Sequence, residues 1–160
     1  MHANAQLIQK FYSSFQARDA SGMSACYHPE VVFSDPVFGR LHGAQAIAMW
    51  HMLCSRARDL EVTFENVQAD AGKGAAHWEA RYTFSKTGRP VHNVIEAAFE
   101  FRDGRIIQHS DTFSFWKWTR MALGPTGLLL GWTPVLQTAI KKDARRNLEA
   151  FIQKQGASSS

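Results

Sequence analysis

The sequence predicts an α+β domain in which a curved antiparallel sheet wraps around helices near the amino terminus. Helical spacing of apolar residues dominates the first third of the chain, and a period of two follows from about residue 60 to residue 115. Glycine-containing turn signals separate the segments of period two, as in hairpin-linked strands. Helices gathered before such strands are typical of an α+β domain, and 160 residues suffice for one core with an internal cavity.

The predicted helices precede the strands. Apolar residues at helical spacing predict an amphipathic helix that ends before Asp19; they are Leu7, Ile8, Phe11, Tyr12 and Phe15. A short helix over residues 22–26 ends at His28-Pro29, and a brief strand over residues 31–34 follows. After Gly43, a second long helix is predicted, with Trp50 and His51 on its apolar face.

Four strands are predicted next. They cover residues 60–69, 75–86, 91–102 and 105–115, which are rich in Val, Ile, Thr and aromatic residues. The turn signals between them lie at residues 72–74, at residues 88–90 and at Asp103-Gly104, a dipeptide that favours a tight hairpin.

The chain divides into three parts by its patterning. The α+β domain covers residues 1–115, and residues 116–155 form a C-terminal extension. Within the extension, a glycine-broken apolar stretch precedes an amphipathic helix with a basic face, which we expect to pack on the same domain or on a partner subunit. Attachment to a membrane surface is the alternative for a basic amphipathic helix. Residues 156–160 (GASSS) are predicted to be a disordered tail.

Composition excludes several classes of function. The 18 Lys and Arg residues exceed the 14 Asp and Glu residues by four, too small an excess to predict nucleic-acid binding without a recognisable motif. Two cysteines do not form a disulfide framework, and no metal or cofactor motif is present. No secretion signal and no apolar run of membrane-spanning length are seen, so we expect a cytoplasmic protein without a membrane span.

The stretch DASGMSACYHPEVVFSDPVFGRLHG, residues 19–43, resembles the opening of the nuclear transport factor 2-like superfamily. This group includes the ketosteroid isomerases and the SnoaL-like polyketide cyclases, and the order of elements is similar over about residues 4–115. The resemblance implies a cone-shaped, cystatin-like α+β fold with a deep pocket between the sheet and the helices, commonly in a homodimer. It implies a fold more strongly than a reaction, because this fold carries many functions.

Against the ketosteroid isomerases the match is partial. Asp35-Pro36-Val37 is similar to the context of their general base. Their tyrosine oxyanion donor corresponds to Phe11, and their protonated aspartate donor to Ala97. Losing one such donor costs about 10²–10³ in rate, so steroid isomerisation by that mechanism is not expected.

The last predicted strand carries the leading catalytic candidates. Its period of two places Ile107, His109, Asp111, Phe113 and Phe115 on one face. A buried carboxylate needs a partner, and the imidazole two residues away provides one. SnoaL-like cyclases are similar in placing an acid or base aspartate on a late strand, so Asp111 is the first candidate, with His109 and then Asp35 beside it. The alternatives are a structural ion pair in the sheet for the first two, and a turn cap for Asp35.

The predicted pocket has aromatic walls. Tyr12, Trp50, Trp78 and Phe113 are the candidate ligand-binding residues, although the same pattern suits ordinary core packing. Together these residues predict a cofactor-independent, metal-free isomerase or cyclase acting on a hydrophobic cyclic small molecule. The alternative is a non-catalytic module that binds a small molecule or a protein. Epoxide hydrolysis is less favoured. The related epoxide hydrolases use an Asp-Arg-Asp arrangement, whereas Glu79 and Arg81 here fall on the opposite face of their strand from Trp78.

Overall fold

The computed structural model describes residues 1–56 and 58–158 of the chain. It confirms the α+β class: three N-terminal helices face a curved six-stranded sheet, and three further helices follow the last strand. The N-terminal helices are α1 (Ala3–Gln16), α2 (Ala20–Ala25) and α3 (Ala44–Arg56). The strands are β1 (Tyr27–Asp35), β2 (Gly39–His42), β3 (Glu61–Ala69), β4 (Lys73–Phe84), β5 (Arg89–Arg102) and β6 (Arg105–Thr112).

The sheet has the order β2-β1-β6-β5-β4-β3. All neighbouring strands are antiparallel except β1 and β6, which are parallel. Strands β1 and β6, the first and last along the chain, therefore lie side by side as the second and third strands from the β2 edge. This arrangement brings the Asp35 end of β1 next to the Asp111 end of β6.

Side-chain capping and burial explain the N-terminal helices. The imidazole Nδ1 of His2 accepts a hydrogen bond from the Asn4 amide at the start of α1, and the Asp19 carboxylate accepts one from Gly22 at the start of α2. The buried face of α1 carries Ile8, Phe11 and Phe15, which pack in the main core against the sheet. The predicted spacing of that helix is thus confirmed.

Two strand predictions require correction. The strand predicted over residues 31–34 begins at Tyr27, because β1 continues through His28 and Pro29 across an irregular stretch of its pairing with β6, where a proline is tolerated. On β6, a register shift in the pairing with β5 between Glu100 and Phe101 interrupts the period of two. As a result, the side chain that is fully buried in the core is that of Ile106 and not that of Ile107.

The C-terminal extension forms helices α4 (Phe115–Leu123), α5 (Pro125–Leu130) and α6 (Pro134–Ser158). Phe115 begins α4 because the Ser114 hydroxyl caps it, so this residue is not the end of a strand as predicted. Helix α4 packs on β5, and α6 packs on α3 with Leu148 in the main core.

Helix α6 includes residues 156–158 of the segment that the sequence predicts to be a tail. Ser159 and Ser160, the rest of that predicted tail, lie outside the described residues. Among the helices of residues 1–56 and 58–158, none has the length and apolar character needed to cross a membrane.

Candidate functional site

A cavity of about 340 Å³ opens between the concave face of the sheet and helices α3, α4 and α6. Aromatic side chains make up much of its wall, among them Phe15, Phe33, Trp50, Trp78, Phe84, Phe113 and Trp118. Polar groups in the wall include the carboxyls of Asp35 and Asp111, the phenol of Tyr82 and the amide of Asn93. An apolar cavity with a few converging polar groups is the usual form of a small-molecule site.

The two carboxyl groups lie on adjacent strands. Phe33 of β1 pairs with His109 of β6, and Ser34 pairs with Ser110. Asp35 and Asp111 each follow one residue later, on the concave face that Phe33 and His109 share. The parallel register of β1 and β6 therefore brings both carboxyls to the same end of the cavity.

A chain of hydrogen bonds fixes Asp111. The indole Nε1 of Trp50 donates to the Tyr27 hydroxyl over 2.8 Å, and that hydroxyl lies 2.7 Å from Nδ1 of His109. Nε2 of His109 lies 2.9 Å from Oδ1 of Asp111, which also accepts from the indole Nε1 of Trp78 over 3.3 Å. All five side chains are buried.

The chain of donors favours one His109 tautomer. Because the indole of Trp50 can only donate, Tyr27 accepts from it, and the phenol hydrogen is left to donate to Nδ1 of His109. With Nδ1 as the acceptor, Nε2 carries the imidazole hydrogen and donates it to Asp111. Asp111 receives two N–H donors on Oδ1, an arrangement suited to a carboxylate, while no described residue hydrogen-bonds its Oδ2.

Asp35 has a different environment. Its Oδ1 accepts hydrogen bonds from the backbone amides of Val37 over 2.9 Å and Phe38 over 2.6 Å, whereas no described residue hydrogen-bonds Oδ2. Removal from solvent raises the pKa of Asp35 to about 7; the Phe38 and Val37 amides oppose this rise, and the negative charge of Asp111 adds to it. At pH 7 the protonated and ionised forms of Asp35 are therefore about equally populated.

A second polar region lies farther along the cavity, where sequence reasoning did not place a site. The indole Nε1 of Trp118 donates to the Tyr82 hydroxyl over 2.8 Å, which leaves the phenol hydrogen for another acceptor. No described residue hydrogen-bonds the amide of Asn93. Both residues were identifiable as facing inward from the period of two on β4 and β5, but the Trp118 contact depends on the extension.

The predicted site residues fall into two groups. Asp35, Asp111, Trp50, Trp78 and Phe113 all line the cavity. The other two, His109 and Tyr12, are buried behind the wall.

His109 and Tyr12 differ in their hydrogen bonding. His109 has no exposed surface and reaches the cavity only through Asp111. Tyr12 packs against Phe64 and Trp78, and its hydroxyl is a buried polar atom without a hydrogen-bond partner among the described residues. Burial raises the pKa of Tyr12 well above 10, and the charge of Asp111 adds to this effect, so its phenol stays neutral.

Potential metal ligands are grouped on the convex face of the sheet. Glu65, His77 and Glu79 place one ligand atom each within 4.8 Å of one another. His77 bridges Glu79 and Glu96, and His92 bonds Glu79, so two of the three potential ligands already form ion pairs. The carboxylates of Glu79 and Glu96, which accept hydrogen bonds from His77, raise the pKa of that imidazole. This network explains the placement of His77 and Glu79 without a metal ion.

The curved sheet and the helices enclose an apolar cavity that contains two carboxyl groups. This architecture is that of the cone-shaped α+β proteins. The family model described as a SnoaL-like domain matches residues 8–109, and the chain belongs to this family. A search of curated proteins finds no match.

Solved structures share the fold at low sequence identity. A putative SnoaL-like polyketide cyclase from Jannaschia sp. CCS1 is 16% identical, with a TM-score of 0.67 over 77% of this chain and 93% of its own. An LEH-like epoxide hydrolase from M. tuberculosis is 19% identical, with a TM-score of 0.62 over 84% of this chain and 95% of its own. An NTF2-like protein from Burkholderia pseudomallei K96243 is 19% identical, with a TM-score of 0.65 over 76% and 98%. The similarity covers most of each relative, and the NTF2-like resemblance seen in the sequence is confirmed.

Proposed function

We propose that this protein is a cofactor-independent isomerase or cyclase that acts on a hydrophobic cyclic small molecule. One observation carries the proposal: Asp35 and Asp111 face the same end of an apolar cavity from adjacent strands, in hydrogen-bonding environments that favour opposite protonation states. Two carboxyls held in different states are a common basis of acid–base catalysis at neutral pH.

Asp111 is the base in this proposal. Its Oδ1 is held by His109 and Trp78, so Oδ2 is the atom free to accept a proton from a substrate carbon next to a carbonyl. His109 does not reach the cavity and acts as a positioning residue, since its Nε2–H holds the carboxylate in place.

Asp35 is the acid. The backbone amides hold Oδ1, so Oδ2 carries the proton and donates it to the substrate carbonyl oxygen as negative charge develops there. The product of this step is an enol. In an isomerisation, Asp111 returns its proton to another carbon while the enol O–H proton goes back to Asp35, which restores the carbonyl and both carboxyl groups. In a cyclisation, the enol carbon forms a bond to the carbon of a second carbonyl, Asp111 gives its proton to the new alkoxide oxygen, and Asp35 takes back the enol proton.

The far end of the cavity binds the rest of the substrate. Asn93 lies four residues from Ala97, the partner of Asp111, which corresponds to about 13 Å along β5. The Tyr82 hydroxyl and the Asn93 amide offer hydrogen-bond donors there. A substrate with a polar acceptor about 13 Å from its reacting carbonyl, and an apolar ring system between them, suits this spacing.

The second candidate function is non-catalytic binding of a ligand in the same cavity. The positions of both isomerase oxyanion donors favour it, because Phe11 and Ala97 are apolar here and are buried in the main core. This candidate uses the same wall and requires no proton transfer.

Thermal-shift measurements followed by deuterium exchange distinguish the two functions. Steroids, aromatic polyketide mimics and terpenoid epoxides are first screened, because a ligand at 100 times its Kd stabilises a domain by about 2.7 kcal/mol. Ligands that bind and carry a carbonyl are then incubated in D₂O, and deuterium incorporation next to the carbonyl is followed by NMR.

Asp111→Asn is expected to keep ligand binding and to lower the exchange rate by about 10²–10⁴-fold. Asp103→Asn, on an exposed turn between β5 and β6, is the matched control and should leave the rate unchanged. Binding without exchange by the wild-type protein would support the non-catalytic candidate. Full exchange by Asp111→Asn would contradict the proposed mechanism.

We also propose that the chain is a cytoplasmic homodimer, as the family resemblance implies. The convex face of the sheet is the expected interface, and Val94 on it has 47% of its surface exposed. Light scattering coupled to size-exclusion chromatography measures the mass, and Val94→Asp should shift a dimer towards the monomer.

A further inference from the structure

The C-terminal extension carries a cluster of exposed apolar side chains, which we call the apolar tip. It consists of Leu128, Leu129 and Leu130 at the end of α5, Trp132 in the following turn, and Val135 at the start of α6. Leu129 and Trp132 each have 68% of their surface exposed, and Val135 has 82%. Contiguous exposed residues of this size usually mark an interaction surface.

The direction of the leucines follows from the glycines on either side of them. Gly127 and Gly131 are four residues apart, and both face Thr119 on α4 so closely that an added Cβ would clash with it. This contact turns the glycine face of α5 towards the protein, and the intervening Leu128, Leu129 and Leu130 are left facing outward. The exposure of the apolar tip is therefore built into the packing of α5 on α4.

The net positive charge of the protein comes entirely from the extension. Residues 115–160 contain seven Lys and Arg residues and two Asp and Glu residues, a net charge of +5. The first 114 residues contain eleven basic and twelve acidic residues, a net charge of −1. The mild basic balance of the chain as a whole conceals this asymmetry.

One basic side chain lies beside the apolar tip, and two more lie about 10 and 16 Å from Val135 along α6. The Arg120 guanidinium sits 5.0 Å from the ring centre of Trp116, whose indole donates a hydrogen bond to the Leu128 carbonyl. On α6, Lys142 and Arg146 follow Val135 by seven and eleven residues, so these three exposed residues share one helix face.

We propose that the apolar tip inserts into the interfacial region of an anionic lipid bilayer while Arg120, Lys142 and Arg146 contact the lipid headgroups. Leucines with a tryptophan on one side and basic residues next to them are the composition that binds membrane surfaces. Charge disfavours a second copy of this chain as the occupant, because pairing through the apolar tip would bring two segments of +5 together.

Co-sedimentation with vesicles tests the proposal on the full-length chain. We expect binding to vesicles of mixed phosphatidylglycerol and phosphatidylcholine, and little binding to phosphatidylcholine alone or in high salt. The variant Leu129→Ser/Trp132→Ser should lose binding, and Lys142→Ser/Arg146→Ser should weaken it by about 30-fold, since each basic residue contributes about fivefold. Ile152→Ser removes an exposed apolar residue near the other end of α6 and is the matched control, which should bind as the wild type does.

A measurement on the folded wild-type protein covers the case in which a variant misfolds. Phospholipids brominated on their acyl chains quench tryptophans that enter the bilayer interface, so they should quench the wild type more strongly than Trp132→Phe. Absence of wild-type binding to the phosphatidylglycerol vesicles would overturn the proposal. So would unchanged binding by the folded Leu129→Ser/Trp132→Ser variant, or a wild-type dimer that this variant converts to a monomer.

Discussion

The phenol oxygen of Tyr27 lies 2.7 Å from Nδ1 of His109, and this contact orients the imidazole towards Asp111. Tyr27 stands on the first strand and His109 on the last, so the parallel pairing of β1 and β6 makes the contact possible. Burial raises the pKa of Tyr27 well above 10 despite the Trp50 hydrogen bond, so the phenol remains a donor. The position of the proposed base thus depends on Tyr27 and His109, which do not line the cavity.

Tyr27→Phe should destabilise the protein by about 1–3 kcal/mol, because it leaves the Trp50 indole N–H and Nδ1 of His109 buried without a partner. Urea unfolding measures the loss. The ¹⁵N chemical shifts of His109 should also change from the Nε2–H tautomer to a mixture. Unchanged shifts would contradict the assigned proton arrangement.

Tyr12→Phe is expected to have the opposite effect on stability. The Tyr12 hydroxyl is buried without a partner among the described residues, so its removal should leave the free energy of unfolding unchanged or raise it by up to about 1 kcal/mol. Urea unfolding of Tyr12→Phe and Tyr27→Phe compares the change in the free energy of unfolding when each of these two buried hydroxyls is removed. A loss above about 1 kcal/mol would show that the hydroxyl has a favourable contact in solution.

Asp35 should make stability depend on pH in a defined window. The folded protein keeps a proton on Asp35 up to about pH 7, whereas the unfolded chain releases it near the usual value of 3.8. The free energy of unfolding therefore falls as the pH rises through this window, by about 1.4 kcal/mol per pH unit from this residue.

Asp35→Asn stays uncharged and should remove that decline. The difference between its stability curve and that of the wild type isolates Asp35, because the contribution of groups such as His77 is common to both. Deuterium exchange in a bound ketone should likewise fall above about pH 7 as the acid loses its proton. The assignment would be contradicted if the stability of the wild type minus that of Asp35→Asn rose with pH between about 4 and 7.

The polar region at Tyr82 should select ligands with a hydrogen-bond acceptor. Tyr82→Phe is expected to raise the Kd of an acceptor-bearing ligand by about two- to tenfold, because a neutral hydrogen bond contributes about 0.5–1.5 kcal/mol. Trp118→Phe keeps the aromatic wall and frees the phenol to turn away, so a smaller loss is expected. Titration calorimetry with a ligand lacking the acceptor is the control, and equal losses for both ligands would refute this role.

Sequence patterning predicted the fold and the pair of residues on β6, for identifiable reasons. Helical and alternating periodicities reflect burial directly, and His109 and Asp111 lie two residues apart on a regular part of the strand. Ile107 was misplaced because a register shift is set by pairing with β5, which leaves no local signal in β6. Strand β2 was missed because its four residues are ordered by pairing with β1.

The hydrogen-bond chain was not predictable from the sequence. Tyr27 lies between the helix predicted over residues 22–26 and the strand predicted over residues 31–34, and its contact with His109 joins residues 82 positions apart. The role of Trp118 was hidden for the same reason, because its indole meets Tyr82 only after α4 folds back on β5. Local periodicity reports which side of an element is buried, whereas such pairs depend on how distant elements meet.

The wall of the cavity is shared between two parts of the chain that mutation can alter separately. Asp35 and Asp111 come from the sheet, whereas Trp118, Ile140 and Ala144 come from the helices that follow it. Substitutions in those helices would alter the cavity wall on a part of the chain that does not carry the two carboxyls. Variation of residues 115–158 is therefore a route to new ligand preference on an unchanged chemical centre.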